Sequence, residues 1–381
     1  MLSRTTSSQM SASLVNYMAT TQGKFNKLST ELGTQKKINS ITDDAVAAKS
    51  ILSAKREINL YNGYIKNMQT AQYELNAAND AIKSSEDRVS RAKDIALMVA
   101  NGTYSQTEID GFKKEVDGII DTMTSLANTE YGDTYLFSGT ATLQKPYTAT
   151  KNNASTITPV DGQDGVYNVK YTEDDGTITE FDMKVKQDGT TYKWVDANTD
   201  AAIDSKYLVT SSTTINYNGT DEPRKILIGE GGIEEELSIV GSDIYGQGTV
   251  TSTFEIDQET GKPKMQVSST GEVGILSSLY ELSAALEAND YDAIKSSMAG
   301  LDEGVSNLAA NKAKVGIAGN RFDTLISAYD NNVTNLTSLK SSLEDADITQ
   351  VVTEWMQSQY ALQASYSISA QMMNISIMNY I

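Results

Sequence analysis

The sequence predicts an α+β fold: a long-helix bundle or coiled coil formed by both chain ends, with a β-rich domain inserted between them. Apolar residues recur every three or four positions in the first and last parts of the 381 residues, and every second position in the middle part. All four prolines fall between residues 146 and 274, where no helix interior is predicted. Because helical regions flank the insert, pairing them in one bundle is the simplest architecture.

The N-terminal helical region has coiled-coil spacing. Steps of four and three residues connect one stripe of the first helix: Leu14, Met18, Thr21, Phe25, Leu28 and Leu32. The same spacing continues from Ile58 to Val89 with polar interruptions. Asn101-Gly102 predicts the end of that helix, and Ser105 followed by Glu108 predicts a capping box that opens the next one.

The middle region, residues 146–274, predicts a β domain that contains a meander. Tyr167, Val169 and Tyr171 alternate with polar residues, and a second alternating run contains Phe181 and Met183. Asp175-Gly176 and Asp188-Gly189 follow the two runs, and Asp-Gly between alternating runs is a strong hairpin signal. Further strands are predicted around residues 215–217, 226–228 and 254–256.

The helical spacing returns after residue 274. From Met298 to Leu336 the stripe follows steps of three and four without a skip. The last segment carries a further stripe, with Gln359 and Ser369 at polar seam positions: Ile348, Val352, Trp355, Leu362, Tyr366 and Met373. Residues 298–336 therefore predict one long helix, and the last segment predicts a partner for the first helix.

Charge favours pairing of the two ends. Residues 1–40 contain five basic residues and one acidic residue, whereas residues 341–381 contain four acidic residues and no basic one. Both terminal stripes are narrow and diluted by Ser, Thr, Asn and Gln, so neither helix can bury its apolar face alone. We therefore expect the ends to polymerise with partners that supply the missing face.

The composition argues against an enzyme. The chain has no His and no Cys, which removes the Ser/His and Cys/His nucleophile systems, thiol redox chemistry and the usual zinc sites. A net charge of −19 argues against nucleic-acid binding. The glycine-rich residues 229–232 predict a turn rather than a phosphate-binding loop, because Glu234-Glu235-Glu236 would repel a phosphate. We expect no catalytic residue, cofactor or metal; a carboxylate-dependent surface hydrolase in the β insert is a remote alternative.

Membrane and signal segments are not predicted. No stretch approaches the ~18 apolar residues that span a bilayer. The first 30 residues are rich in Ser and Thr and lack the apolar core of a secretory signal.

Short motifs at both ends resemble the bacterial flagellin superfamily. They are Leu28-Ser29-Thr30, Gly33, Lys37-Ile38-Asn39-Ser40, Asp43-Asp44-Ala45, Asn101-Gly102-Thr103, Val315-Gly316 with Arg321, and Glu344-Asp345-Ala346-Asp347. Within the superfamily, three features resemble the hook–filament junction class of hook-associated proteins: Asn128-Thr129 with the run from Tyr135 through Phe137 and Gly139 to Thr140, then Pro146-Tyr147, and the ending Ser376–Ile381. The family's Gly-Lys-Arg stretch appears here as Gly33-Thr34-Gln35-Lys36-Lys37, and no Pro surrounds Asp43-Asp44.

The resemblance implies a structural adaptor that joins the flagellar hook to the flagellin filament; a short filament flagellin is the alternative. It implies these partners: copies of the same chain in a ring, a second hook-associated junction protein, flagellin, an export chaperone and the type III export apparatus. It also implies an extracellular location, reached without a cleavable signal peptide and without membrane insertion. The implied layers are 1–44 with 345–381 as inner-tube helices, 45–145 with 275–344 as a helical domain, and 146–274 as the outer domain. Gly33, Asn39 and Asp43-Asp44 would lie where the two inner layers meet.

The free subunit provides the first test. Because each terminal stripe lacks a partner in the monomer, residues 1–44 and 345–381 should show near-zero protection in amide hydrogen exchange in dilute solution. Slow exchange across both segments in a verified monomer would contradict the polymerisation argument.

Overall fold

The computed structural model describes residues 7–102, 104–237, 239–272 and 274–378, and side chains from residue 9 to residue 371 within these ranges. The helices are α1 (Ser7–Thr34), α2 (Ala45–Asn101), α3 (Gln106–Ala127), α4 (Ser242–Tyr245), α5 (Ile275–Ala288), α6 (Tyr291–Glu344) and α7 (Ile348–Met378). The strands are β1 (Glu130–Tyr131), β2 (Thr134–Tyr135), β3 (Tyr147–Lys151), β4 (Ser155–Pro159), β5 (Val166–Thr172), β6 (Ile178–Asp188), β7 (Thr191–Asp196), β8 (Val209–Tyr217), β9 (Lys225–Gly229), β10 (Ile233–Glu236), β11 (Gln247–Ile256) and β12 (Pro263–Glu272). The predicted α+β class, with helical ends and a β-rich insert, is confirmed.

The chain forms two compact units. Unit 1 contains residues 1–66 and 325–381, and unit 2 contains residues 67–324. In unit 1, α1 and α7 pack against each other in antiparallel directions, because Met18 contacts Ser369 whereas Ser29 contacts Trp355. The predicted pairing of the two chain ends is therefore present in unit 1.

The helical part of unit 2 is built from α2, α3, α5 and α6. Its fully buried side chains come from all four helices: Met68, Ile82, Val89, Ile95, Val116, Met123, Leu279, Leu282, Leu301, Leu308 and Phe322. Ion pairs join α2 to α6 at its surface, including Lys312 with Glu86 at 2.6 Å. The predicted α6 stripe thus contributes its positions from Leu301 to Phe322 to this packed core.

The insert contains two four-stranded antiparallel sheets. The first has the order β4-β5-β6-β7, which is the predicted meander, and Gly176 and Gly189 take the positive φ angles that its Asp-Gly turns require. Its core is Val169, Met183 and Trp194 together with Ile256 of β11. The second sheet has the order β12-β11-β8-β3. The Trp194 indole N–H donates to the Phe254 carbonyl at 3.1 Å, which links β7 to β11.

Two short hairpins and one helix cap complete unit 2. β1 pairs with β2, and β9 pairs with β10 across the glycine-rich turn at residues 230–232. Helix α2 ends at Asn101, and the Glu108 carboxylate accepts the backbone N–H of Ser105 at 2.8 Å at the start of α3. Both helix boundaries agree with the sequence prediction. Among the described residues, no helix combines the length and apolar composition that crossing a bilayer requires.

Phe322→Ala tests the packing of α6. Phe322 is fully buried, so truncation should lower the free energy of unfolding by about 3–5 kcal/mol. Ile317→Ala is the matched control on the same helix; Ile317 is 68% exposed, and its change should stay within roughly 0.5 kcal/mol. Denaturant unfolding of the full chain, followed by circular dichroism, measures both. Equal midpoints for the Phe322 variant and the parent would show that this face is not core.

Candidate assembly site

The α1 side of the terminal pair uses the stripe predicted from the sequence. Thr21 and Leu28 are buried, and the remaining members of the stripe, Leu14, Met18, Phe25 and Leu32, are half-buried. All six lie on one face of α1, because their spacing follows the heptad period. This face packs on α7.

The α7 side of the pair follows a stripe that differs in part from the predicted one. The residues that face α1 are Val351, Trp355, Ser358, Leu362, Ser365 and Ser369. Val352 flanks this stripe and is half-buried, whereas Ile348 is 38% exposed and Tyr366 is 51% exposed. Met373 lies in α7, but its side chain falls outside the described residues. Trp355 and Leu362 therefore face α1, whereas Ile348 and Tyr366 are exposed at the side of the pair.

The missed residues carry a sequence signal of their own. Val351, Ser358 and Ser365 follow the steps of four and three through Trp355, Leu362 and Ser369, and of these Ser369 is a predicted seam position. This heptad becomes visible only when small polar residues are admitted to the stripe. Serine at such positions allows close helix approach but buries little apolar area.

Polar and aromatic contacts fix the register of the pair near its middle. Phe25 stacks on Trp355 with ring centroids 5.5 Å apart, and the indole N–H donates to the Ser29 hydroxyl at 2.9 Å. Lys24 lies 3.3 Å from the Glu354 carboxylate. The Tyr366 hydroxyl donates a hydrogen bond to the side-chain oxygen of Gln22 at 3.2 Å. Trp355 is therefore the main anchor of a pair whose other contacts are small.

Next to this pair, the segment that follows α1 is hydrogen-bonded to the segment that precedes α7. We call this contact the joint; it contains residues 35–44 and 344–347. The Lys37 backbone N–H donates to the Glu344 carbonyl at 2.8 Å, and the Ala346 N–H donates to the Gln35 carbonyl at 3.0 Å. Gln35 takes a φ angle of 60°, a strained conformation for a residue with a side chain. The backbone hydrogen bonds on both sides of Lys36 hold the strained turn in place.

Glu344 is the electrostatic centre of the joint. Its carboxylate is buried and lies 2.8 Å from the Lys36 ammonium and 2.9 Å from the Lys55 ammonium. Burial raises the pKa of Glu344, but hydrogen bonds from both lysines and their charges outweigh burial and bring the pKa below the ordinary value. The hydrogen bond to Glu344 in turn raises the pKa of Lys36. The Glu344 carboxylate thus connects Lys36 and Lys55 to the end of α6.

The motif residues of the first half of the joint act as local caps. The Asp43 carboxylate accepts the backbone N–H groups of Asn39 and Ser40, and these two hydrogen bonds lower the pKa of Asp43. Asp44 caps α2 by accepting the N–H groups of Val46 and Ala47. Asn39 donates its side-chain amide to the Lys36 carbonyl at 2.7 Å. Gly33 lies exposed in the last turn of α1.

The motif Tyr135–Thr140 lies in unit 2 and forms a packed corner where the chain leaves the helices for the sheets. Phe137 is fully buried and meets the Tyr245 ring edge-on at 5.4 Å. Gly139 has a φ of 62°, and a Cβ there would lie 2.1 Å from the Thr220 carbonyl oxygen, so only glycine fits. Tyr135 is half-buried beside this corner, and its backbone N–H donates to the Thr142 carbonyl at 2.8 Å.

The chemistry of these sites is that of packing and capping. Within the part of the chain that the structure describes, no three acidic side chains group as metal ligands. The fold and the terminal pair therefore define a class: an assembly subunit whose two chain ends form one helical surface.

Comparison with known proteins identifies the family. The bacterial flagellin N-terminal helical region matches residues 6–142, and the bacterial flagellin C-terminal helical region matches residues 298–381, together more than half of the chain. The chain belongs to the bacterial flagellin family. It is 24% identical over 350 residues to flagellin C of Vibrio cholerae serotype O1, covering 88% of this chain and 87% of that protein. It is also 24% identical over 356 residues to polar flagellin F of Vibrio parahaemolyticus, covering 89% and 88%.

A solved structure has a similar fold. A Vibrio parahaemolyticus chain assigned as a flagellar hook-associated protein matches with a TM-score of 0.51 at 15% identity. The match covers 80% of this chain and 100% of that one. At this identity the likeness concerns the fold.

Glu344→Gln tests the joint in the assembled chain. Because the pKa of Glu344 is lower in the folded than in the unfolded chain, the ionised carboxylate stabilises the joint above about pH 4.3 and loses that effect as the pH falls through the folded-state value. At pH 7, assemblies of the variant should dissociate at a lower urea concentration than assemblies of the parent. The loss of stability should be roughly 1 kcal/mol or less per subunit, because both lysines are partly exposed.

The difference between the Glu344 variant and the parent should narrow as the pH falls below about 4.3. Glu57→Gln is the control, since it removes the same charge from an exposed position of α2 in unit 1. A difference of the same size at every pH would contradict the role of the ionised carboxylate.

Proposed function

We propose that this chain is the structural adaptor that joins the flagellar hook to the flagellin filament. It would contact a second hook-associated junction protein on one axial face and flagellin on the other, with copies of itself around a ring. It would travel unfolded through the type III export apparatus with an export chaperone, and it would act outside the cell.

The Tyr135–Thr140 corner carries this proposal. Its sequence resembles that of hook–filament junction proteins, and its glycine is required by the close approach of Thr220. The corner positions the start of the β insert, since β3 begins seven residues after Thr140. The fold shared with the Vibrio parahaemolyticus chain assigned as hook-associated agrees with it. The three-layer division, with 1–44 and 345–381 inside, 45–145 and 275–344 around them and 146–274 outside, is part of the same proposal.

A filament role is the second candidate. The two relatives named above are flagellins, and this favours a short filament flagellin with the same terminal pair. The two roles differ in what the chain meets at its axial faces, because a filament subunit must contact itself at both faces and an adaptor must not.

The hydrolase alternative finds no support in the acids of the insert. Asp175 lies in a turn, and Asp196 and Asp257 each come directly before one; all three accept backbone N–H groups. These hydrogen bonds lower the pKa of each carboxyl, whereas a general acid needs a pKa raised towards the operating pH. The acids are therefore placed to anchor turns.

Deletion of the gene tests the function directly. An adaptor has mismatched faces, so its loss should leave intact hooks without filaments and release flagellin into the medium. Purified subunits should not elongate seeds of themselves. Electron microscopy of the deletion strain and a blot of its medium measure both effects. Normal filaments would overturn the junction role, and loss of all flagellin would move the assignment to the filament subunit.

A further inference from the structure

The joint bears an exposed apolar groove that the terminal pair does not fill. Its floor is made by Ala48 and Ile51 of α2, which are 7% and 4% exposed, and Ile38 is half-buried beside them. Its rim carries Ile41, 65% exposed, and Leu52, 59% exposed. Polar side chains, among them Lys36, Lys55 and Glu344, line the rest of the groove. We call the five apolar residues the joint groove. Large apolar side chains so exposed around a buried apolar floor mark a contact surface.

The two terminal helices lead away from this groove. Helix α1 has 28 residues and α7 has 31, so their far ends lie about 42 Å and 46 Å from the joint. Among the described residues, the terminal pair therefore leaves the groove open to another chain.

Helix α7 carries a surface of matching character. Met356 is 48% exposed and Tyr360 is 69% exposed, and they lie one turn apart on the side of α7 that faces away from α1. Met and Tyr are enriched in protein interfaces. A helix with apolar side chains on several sides is buried on more than one side. The pair with α1 accounts for only one of these sides.

Charge favours the same match. Residues 34–56, which surround the groove, contain five basic and two acidic residues. Residues 345–381 contain three acidic residues and no basic one. The groove region and α7 therefore attract each other between copies, as the ends do within one copy.

We propose that the joint groove of one copy receives Met356 and Tyr360 of α7 from a second copy of this chain. The inference rests on the proposed function, and it names the partner surface at the inner helices. Groove and α7 face are different patches, so the contact is heterologous and can repeat from copy to copy around a ring.

Substitutions on the rim test the groove in the full chain. Ile41→Glu and Leu52→Glu place a charge on side chains that are already exposed, so the free subunit should unfold at the parent's denaturant midpoint. In the assembled ring, a carboxylate on the rim would be buried against Met356 and Tyr360 and would face the net negative charge of the α7 segment, so incorporation into isolated hook–filament particles should fall at least about tenfold. Leu143→Glu, at a loop residue 78% exposed in unit 2, should incorporate like the parent.

A photo-crosslink identifies the occupant. The chain has no cysteine, so Ile41→Cys supplies a single thiol for a benzophenone maleimide. Irradiation of assembled particles should give a product of two copies of this chain, joined to a peptide that contains Met356 or Tyr360. A crosslink to flagellin or to another hook protein would overturn the proposal, as would normal incorporation of the folded Ile41→Glu chain. If deletion strips the filament while Ile41→Glu assembles normally, only the groove proposal fails; if deletion leaves filaments intact, the adaptor role fails.

Discussion

The closure of two chain ends some three hundred residues apart is the constraint on which this molecule depends. Closing a flexible loop of that length costs about 5 kcal/mol beyond a constant. The packing of α2 against α6 in unit 2 offsets much of this entropic cost, through a packed core and through ion pairs such as Lys312 with Glu86. At the joint, Glu344 connects Lys36 and Lys55 and so adds contacts that need no long apolar seam.

The composition of the terminal pair then explains why the pair suits assembly. Ser358, Ser365 and Thr21 occupy buried positions where leucine would bury far more apolar area. Phe25 and Trp355 supply one strong contact in a pair that is otherwise weak. A weak pair with apolar side chains left outside gains most of its stability when neighbours cover those side chains. The same weakness is compatible with passage of the chain in an unfolded state.

The features of the fold that depend on neighbouring residues could be predicted from the sequence. The meander follows from alternation and Asp-Gly turns, and the caps at Asp44 and Ser105 follow from residue type beside a helical run. Contacts between distant parts of the chain are harder to predict from the sequence. Half of the ten residues of β11 are Thr, Ser and Gly, so the strand carries little sequence signal for its pairing with β8 and β12. On α7, the predicted stripe includes Ile348 and Tyr366, whereas the buried positions that face α1 include Ser358 and Ser365. The contact of Lys55 with Glu344 spans 289 residues and leaves no local signal.

The joint also orders folding before assembly. The floor of the groove, Ala48 and Ile51, lies at the start of α2, where Asp44 caps the first turn and Asp43 holds the preceding turn. Ile38 and Ile41 lie in the segment that the hydrogen bond from the Lys37 backbone N–H to the Glu344 carbonyl holds beside the end of α6. A subunit whose ends are unpaired therefore lacks the contacts that position Ile38 and Ile41, and we expect it to bind α7 of another subunit more weakly. Pairing of the ends within one copy thus strengthens contact with the next, which disfavours association of the same chains before they reach their place in the structure.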